Sequence, residues 1–221
     1  MIIAIDGLAG SGKSSTAKRL SNKIGFSYFS TGKMYRAITC YSIENDLISS
    51  LPDSLINCID KLDINFEKNN LNKILINKKD YSQSIYSKEV NKYVSAISSI
   101  ERVRNIMVDL QRIAGKNNNL ICEGRDIGTV VFPNAQLKFY FDADEEVRIK
   151  RRLKELGDKN LGSNLENVSI QLKNRDDRDR TRANSPLKRA ENAILVDTTD
   201  KSLDEVFQFV FDKVEKHLIS R

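Results

Sequence analysis

A glycine-rich stretch near the start of the chain constrains the fold most strongly. The apolar run at residues 2–5 is followed by GLAGSGKSS from Gly7, and a helical pattern begins at Lys13. A strand that passes through a glycine-rich turn into a helix is a building unit of parallel α/β sheets. The spacing of Gly7, Gly12, Lys13 and Ser14 matches the phosphate-binding loop G-x-x-x-x-G-K-[ST]. The sequence therefore predicts a nucleoside triphosphate site on an α/β scaffold.

Each residue type in this loop has a chemical reason. Glycines let successive backbone N–H groups turn toward phosphate oxygens, Lys13 supplies a point charge for the β- and γ-phosphates, and the Ser14 hydroxyl can bind Mg²⁺. The residues predicted to bind ATP here are Gly7, Leu8, Ala9, Gly10, Ser11, Gly12, Lys13, Ser14 and Ser15. The loop alone does not identify the reaction, because ATPases, GTPases, sulfotransferases and small-molecule kinases share it.

Composition limits the class of protein. The 221 residues are 40% hydrophobic and 30% charged, which suits one large α/β domain with a buried core. No apolar run approaches the length of a membrane span, and no signal peptide is visible. Three widely spaced cysteines favour a reduced, cytoplasmic protein without structural zinc. The net charge is +6, but basic and acidic residues are interleaved, so we expect the chain to bind small molecules rather than nucleic acid or membrane. We also expect it to be a monomer.

Short apolar runs alternate with longer helical patterns along the chain. This alternation predicts an α/β fold with a five-stranded parallel sheet and helices on both faces. The predicted strands are residues 2–5, 26–29, 120–122, 137–141 and 194–196. The predicted helices are residues 13–24, 33–44, 100–114, 145–156 and 203–218.

Two segments interrupt the alternation and predict the domain organisation. Residues 31–98 read as an insert with a small β-ribbon, which turns at 69–70, followed by a helix from about Ser87. Residues 157–185 carry few apolar side chains and read as a short lid that projects from the body. The core is then formed by 1–30, 99–156 and 186–221.

Polar residues follow the second and third predicted strands. Thr31 comes at the end of one strand with Arg36 a turn later, and EGRD from Glu123 follows the next. Open α/β sheets bind ligands at this edge. Arg125 and Asp126 could form only an ion pair, or the arginine could bind a phosphate while the aspartate accepts a hydrogen bond from a base or sugar.

The predicted lid ends in RDDRDRTR. In a helix, Arg175, Arg178, Asp179 and Arg182 would share one face. One interpretation is a solvated charged face held by local ion pairs. The alternative is an arm that places arginines over two facing phosphates and excludes water, as phosphoryl transfer requires.

These motifs together resemble a known family. DGLAGSGKSS, STGKMYR, EGRDIGTVVFP and RDDRDRTR occur in the order and spacing of bacterial cytidylate kinases, which are P-loop nucleoside monophosphate kinases, and the resemblance covers essentially the whole chain. It implies transfer of the ATP γ-phosphate to CMP or dCMP with Mg²⁺, in pyrimidine nucleotide metabolism, and an insert that binds the monophosphate. A P-loop kinase for UMP, dTMP or shikimate is the nearest alternative. A P-loop ATPase or nucleic-acid-binding regulator is disfavoured because residues 120–122 run into EGRD rather than paired acidic residues.

The resemblance also implies roles for individual residues. The CMP site would contain Thr31, Arg36, Ser95, Arg104, Arg125, Asp126, Arg175, Asp179 and Arg182. The catalytic cations would be Lys13, Arg125, Arg175 and Arg178; Arg151 and Arg152 would lie beside the ATP adenine, and Ser14 would bind Mg²⁺. This chain departs from the family at three positions: Thr31 stands where serine is usual, and Ser30 and Glu123 stand where aspartate is common.

Overall fold

The computed structural model describes residues 1–67, 70–116, 118–158 and 164–219. Its strands are β1 (Ile2–Gly7), β2 (Ser27–Ser30), β3 (Ile64–Glu67), β4 (Asn70–Ile76), β5 (Lys79–Asp80), β6 (Leu120–Gly124), β7 (Leu137–Asp142) and β8 (Ile194–Asp197). Its α-helices are α1 (Lys13–Ile24), α2 (Thr31–Glu44), α3 (Asp53–Ile59), α4 (Lys88–Ser99), α5 (Glu101–Gly115), α6 (Glu145–Asp158), α7 (Leu165–Thr181) and α8 (Leu203–Ile219).

The central sheet has five strands in the order β2-β6-β1-β7-β8, and every pairing is parallel. The predicted α/β fold with a five-stranded parallel sheet is therefore confirmed. β1 lies in the middle, where Asp6 is in register with Gly124 of β6 and with Tyr140 of β7. The carboxyl ends of the strands thus meet along one edge, which is the edge that carries the phosphate loop.

The two faces of the sheet are buried by different helices. Ile3 and Ile5 of β1 belong to a cluster that includes α1 and α8, whereas Ala4 belongs to a cluster that includes α2 and α5. Successive side chains of a strand point to opposite faces, so an uninterrupted apolar run buries both. The covering helices fix β1 in place, and with it the start of the phosphate loop.

The predicted insert contains more structure than the sequence indicated. The β-ribbon is present as β3 and β4, which pair antiparallel, and β5 adds a third strand. Of the predicted turn at 69–70, position 69 lies outside the described residues. The helix expected from about Ser87 is α4, and the Ser87 hydroxyl caps it by accepting a hydrogen bond from Val90 N. The short helix α3 was not predicted.

The predicted lid is packed on the body, so the expectation that it projects from the body is wrong. Val168 and Leu172 of α7 are buried against Ile149 and Leu156 of α6. Within this segment α6 extends to Asp158 and α7 begins at Leu165. Residues 159–163 lie outside the described part of the chain.

Candidate active site

The phosphate loop closes at two points where only glycine fits. Gly7 has φ +142°, and a Cβ there would lie 2.0 Å from the carbonyl oxygen of Phe141 in β7. Gly10 has φ +77°, and its Cβ would lie 3.0 Å from the carbonyl oxygen of Arg148 in α6. Glycine is free to adopt this backbone conformation and to approach a neighbouring backbone closely. The loop is therefore clamped between the central strand and α6.

A cavity of about 570 Å³ opens at this loop. It is lined by Gly10, Gly12, Lys13, Ser14, Ser15, Thr16, Arg151, Lys154, Glu155, Thr198, Lys201, Leu203 and Val206. Arg151 is held at its rim, because its guanidinium donates to the hydroxyl of Thr198 at 2.9 Å and to the carbonyl of the same residue at 2.7 Å. We call this space the donor cavity.

Lys13 lies in the donor cavity but is almost fully buried. Its Nζ donates to the carbonyl of Leu8 and, at 3.3 Å, to Ser11 Oγ. Burial lowers the pKa of Lys13 to about 7, and the nearby positive charges of Arg125 and Arg175 act in the same direction. Three cations thus lie within electrostatic reach of one another, an arrangement that favours an anion between them.

Glu123, at the end of β6, gathers three hydroxyl groups on one carboxylate oxygen. Its Oε1 accepts from Ser14 Oγ at 2.9 Å, from Tyr28 OH at 3.3 Å and from Ser30 Oγ. The longer glutamate therefore spans from β6 to the phosphate loop, and Ser30 serves as a donor to it. Two of the three departures from the family pattern, Ser30 and Glu123, contact each other.

A second, much narrower cavity of about 50 Å³ lies between β6, α2, α4 and α7. It is lined by Thr31, Gly32, Tyr35, Val94, Ser95, Ser98, Arg104, Glu123, Gly124, Arg125, Asp126, Arg175, Asp179 and Arg182. We call this space the acceptor cavity. It brings together eight of the nine residues predicted for the CMP site, which come from four separate segments of the sequence. Typical ligand pockets are several times larger, so the cavity has to widen before a nucleotide can enter it.

Arginine–aspartate pairs close the acceptor cavity. Asp126 is bonded to Arg104 and lies 3.6 Å from Arg182, while Arg125 Nε donates to Asp179 at 2.8 Å. Burial works against ionisation of Asp179, but the surrounding arginines, Arg125 first among them, hold its pKa below the usual value. Asp179 therefore stays charged and is available to a ligand that can replace an arginine.

Ser95 presents a polar atom to this cavity without a hydrogen-bond partner in the protein. Its Oγ is buried, and no described residue donates to it or accepts from it. Buried polar side chains are nearly always hydrogen-bonded in native proteins, so an unsatisfied hydroxyl facing a cavity is typical of a binding site.

Three predicted site residues lie elsewhere. Arg36 is buried behind the acceptor cavity and donates to Ile85 O and to Asn91 Oδ1, at 2.9 Å each. Arg152 and Arg178 line a third cavity, about 380 Å³, between α4, α6 and α7. Of the two arginines expected beside the adenine, only Arg151 lines the donor cavity. Arg175 lines both this third cavity and the acceptor cavity, so it shares one side of α7 with Arg178 and the other with Asp179 and Arg182.

The sequence reasoning missed two buried groups beside the site. Arg148 of α6 donates to Ala143 O at 3.0 Å and to Ala9 O at 3.3 Å, and it forms an ion pair with Asp176 of α7. Asp6 of β1 accepts from Ile127 N and Gly128 N, both at 2.7 Å, and burial raises its pKa to about 7. Asp6 could have been found from its position directly before Gly7 of the phosphate loop. Arg148 is one of several basic residues in α6, and nothing in the sequence distinguishes it from the others.

A clamped phosphate loop, a donor cavity and an arginine-lined acceptor cavity at one edge of a five-stranded parallel sheet define a P-loop kinase. The sequence family described as cytidylate kinase matches residues 3–216. The chain belongs to this family, and the family predicted from the motifs is confirmed.

Close relatives agree with this assignment. The chain is 43% identical over 220 residues to a cytidylate kinase from Fusobacterium nucleatum, with 98% of each chain covered. It is 42% identical over 204 residues to a cytidylate kinase from Clostridium botulinum, with 92% of this chain and 93% of that one covered. Among solved structures, an uncharacterized protein from Eubacterium ventriosum has a TM-score of 0.53 at 12% identity, over 97% of this chain and 98% of that one, which shows a shared fold.

Within the described residues, no helix is both long enough and apolar enough to cross a membrane. The monomeric state and the cytoplasmic location stay predictions.

Proposed function

We propose that this chain transfers the γ-phosphate of ATP to CMP or dCMP, giving ADP and CDP or dCDP. The observation that carries the proposal is the position of Lys13, which lies in the donor cavity and within electrostatic reach of Arg125 and Arg175 of the acceptor cavity. ATP would occupy the donor cavity and the monophosphate the acceptor cavity, so the transferred group would pass between these cations.

The acceptor cavity supports recognition of cytosine. A carboxylate accepts a hydrogen bond from the exocyclic amine of cytosine but repels O4 of uracil. Asp126 supplies this carboxylate at the closed end of the cavity, and Arg104 and Arg182 beside it can donate to ring acceptors. Ser95 Oγ, unsatisfied in the protein, and Asp179 provide further contacts to base and sugar.

Positioning and charge neutralisation are the protein's main contributions to transfer. The acceptor phosphate is already an anionic nucleophile at neutral pH, so no side-chain nucleophile is needed. Lys13, Arg125 and Arg175 would stabilise the charge of the transferring phosphoryl group in the transition state. The packing of α7 over the site would keep water out, which prevents hydrolysis of ATP.

The residues at the phosphate loop fit a magnesium ion. Mg²⁺ prefers hard oxygen donors and usually binds one or two protein groups together with phosphates. Ser14 Oγ and the Glu123 carboxylate, 2.9 Å apart, are such donors, and the described residues contain no group of three His, Cys, Asp or Glu side chains that would hold a metal independently. When bound with ATP, the ion would neutralise phosphate charge; Ser14 would hold it and Glu123 would orient Ser14.

A coupled assay of ADP release tests the proposal. ATP is supplied alone and then with CMP, dCMP, UMP, dTMP or shikimate at equal concentration. We expect turnover with CMP or dCMP that exceeds every other acceptor by at least about tenfold, and almost none with ATP alone. Comparable turnover with ATP alone would indicate an ATPase, and a preference for UMP, dTMP or shikimate would assign a different kinase.

A further inference from the structure

Asn91 connects two arginines that belong to different parts of the molecule. Its Oδ1 accepts from Arg36 of α2 at 2.9 Å and from Arg152 of α6 at 3.1 Å. Asn91 lies on α4, so one amide joins three helices. Guanidinium groups can only donate, so the amide oxygen, not the amide nitrogen, must face them.

The electrostatics of this contact are unusual. Two guanidinium groups share a single neutral acceptor, although their charges repel each other. Burial lowers the pKa of Arg36 to about 10, and the charge of Arg152 contributes to the shift. Arg36 nevertheless stays protonated at neutral pH. Arg152 also pairs with Glu155 at 2.7 Å, whereas Arg36 also donates to the neutral carbonyl of Ile85.

We propose that Asn91 is a positioning residue that holds Arg36 and Arg152 together as a preformed receptor for the phosphate of the acceptor nucleotide. The proposal rests on the proposed function and on the expectation that Arg36 belongs to the CMP site; both arginines lie within electrostatic reach of Arg175, which lines the acceptor cavity. A neutral amide organises the two cations without neutralising them. Hydrogen bonds from guanidinium to phosphate are charge-assisted and about twice as strong as those to a neutral acceptor, so the phosphate displaces Asn91 when it arrives.

The substitution N91D provides a sharp test because it changes a neutral acceptor into a competing anion at constant size. N174D is the matched control: Asn174 is exposed and lines the same cavity between α4, α6 and α7, so the variant adds the same charge nearby without touching the bridge. Binding of CMP and of cytidine is measured by calorimetry for wild type, N91D, N91A and N174D. Thermal unfolding of each variant confirms that it is folded.

We expect N91D to weaken CMP binding about tenfold and to leave cytidine binding within about twofold of wild type, because cytidine lacks the phosphate. N91A should weaken CMP binding by only about threefold, since Arg36 keeps its bond to Ile85 and no competing charge is added. In steady-state kinetics N91D should raise KM for CMP while kcat changes by less than about threefold, the pattern of a contact made equally in the ground and transition states.

Three results would overturn the proposal. CMP affinity could be unchanged in N91D, CMP and cytidine affinity could fall by the same factor, or N174D could match N91D. Failure of the proposed function has a different signature, because wild type would then fail to phosphorylate CMP in the acceptor panel. In that case the same comparison is made with UMP and uridine, whose difference again isolates the phosphate.

Discussion

Arg148 and Asp176 form an ion pair with only 4% and 3% of each residue exposed, and this pair joins the helix behind the phosphate loop to the helix that carries the arginine cluster. Because Arg148 also donates to Ala9 O of the loop, the donor and acceptor cavities share one rigid contact. Asp176 lies next to Arg175, so the pair fixes the rotation of α7 and directs Arg175 and Asp179 toward the acceptor cavity.

Removing one partner of this pair should be strongly destabilising. R148M leaves a buried carboxylate and D176N a buried guanidinium, and each should lower the free energy of unfolding by about 3 kcal/mol. The double variant R148M/D176N, which leaves neither charge, should lose less than the sum of the single changes. Denaturant unfolding measures all three. D60N is the control, since the Arg102–Asp60 pair is about half exposed and should contribute less than about 1 kcal/mol. Additive losses would show that Arg148 and Asp176 are energetically independent.

Replacing Lys13 by methionine should stabilise the protein without nucleotide while abolishing kinase activity. The folded pKa of about 7 lies below the ordinary value of 10.5, so below pH 7 the lysine is charged in both states and its burial opposes folding fully. This unfavourable contribution to the free energy of folding disappears as pH rises from 7 toward 10.5, where lysine becomes neutral in both the folded and the unfolded state. K13M should therefore raise Tm by at least about 2–4 °C at pH 6, which is about 1 kcal/mol for a chain of this size, and by less at pH 9. A gain that is equal at the two pH values would contradict burial of the charge as the cause.

The contact between Ser30 and Glu123 should make S30D destabilising in this chain. The Ser30 hydroxyl donates to Glu123 Oε1, and an aspartate at position 30 would place a second carboxylate against the first. Like charges this close raise the pKa of one of the pair, so the loss of stability should be larger at pH 8 than at pH 5. The double variant S30D/E123D has aspartate at both positions, as is common in the family. It should recover part of the lost stability, because the side chain at position 123 is then shorter. Equal stability of S30D at both pH values would show that the two carboxylates do not interact.

Substitution of Asp126 tests base recognition. D126N keeps the size of the side chain but removes the charge and adds a donor, which can pair with O4 of uracil. We expect kcat/KM for CMP to fall by about a hundredfold or more, as for other sites built around a buried polar contact. The ratio of kcat/KM for CMP to kcat/KM for UMP should become smaller. R36A is the control: it should weaken CMP and UMP alike, because both carry the phosphate. If D126N lowers kcat/KM for both substrates by one factor, Asp126 does not read the base.

The local motifs were readable from the sequence because neighbouring residues determine them. The glycines of the phosphate loop require their own backbone conformation, and strands of continuous apolar residues require burial on both faces. The five strands of the sheet, the helices α1 and α8 and the donor cavity around Lys13 followed from these patterns. The positions of acceptor residues directly after predicted strands were also enough to predict that they lie close together, since the carboxyl ends of parallel strands meet at one edge of the sheet.

The lid was misjudged because its stability depends on a partner distant in sequence. Its charged sequence indicates a solvated arm, yet Val168 and Leu172 are buried by Ile149 and Leu156 of α6. A helix with few apolar residues packs well when each of them meets a complementary surface, and only the folded chain shows that surface.

The sequence by itself determined the sheet, the phosphate loop and the family, because each depends on spacing within a short segment or on the edge at which a strand ends. The tertiary structure alone decided which charges meet. Arg148 finds Asp176 from 28 residues away, and Asn91 receives Arg36 and Arg152 from 55 and 61 residues away. A basic residue on a helix has many acidic or amide partners available in the sequence, and the packing of α4, α6 and α7 against one another selects the partners that lie within reach.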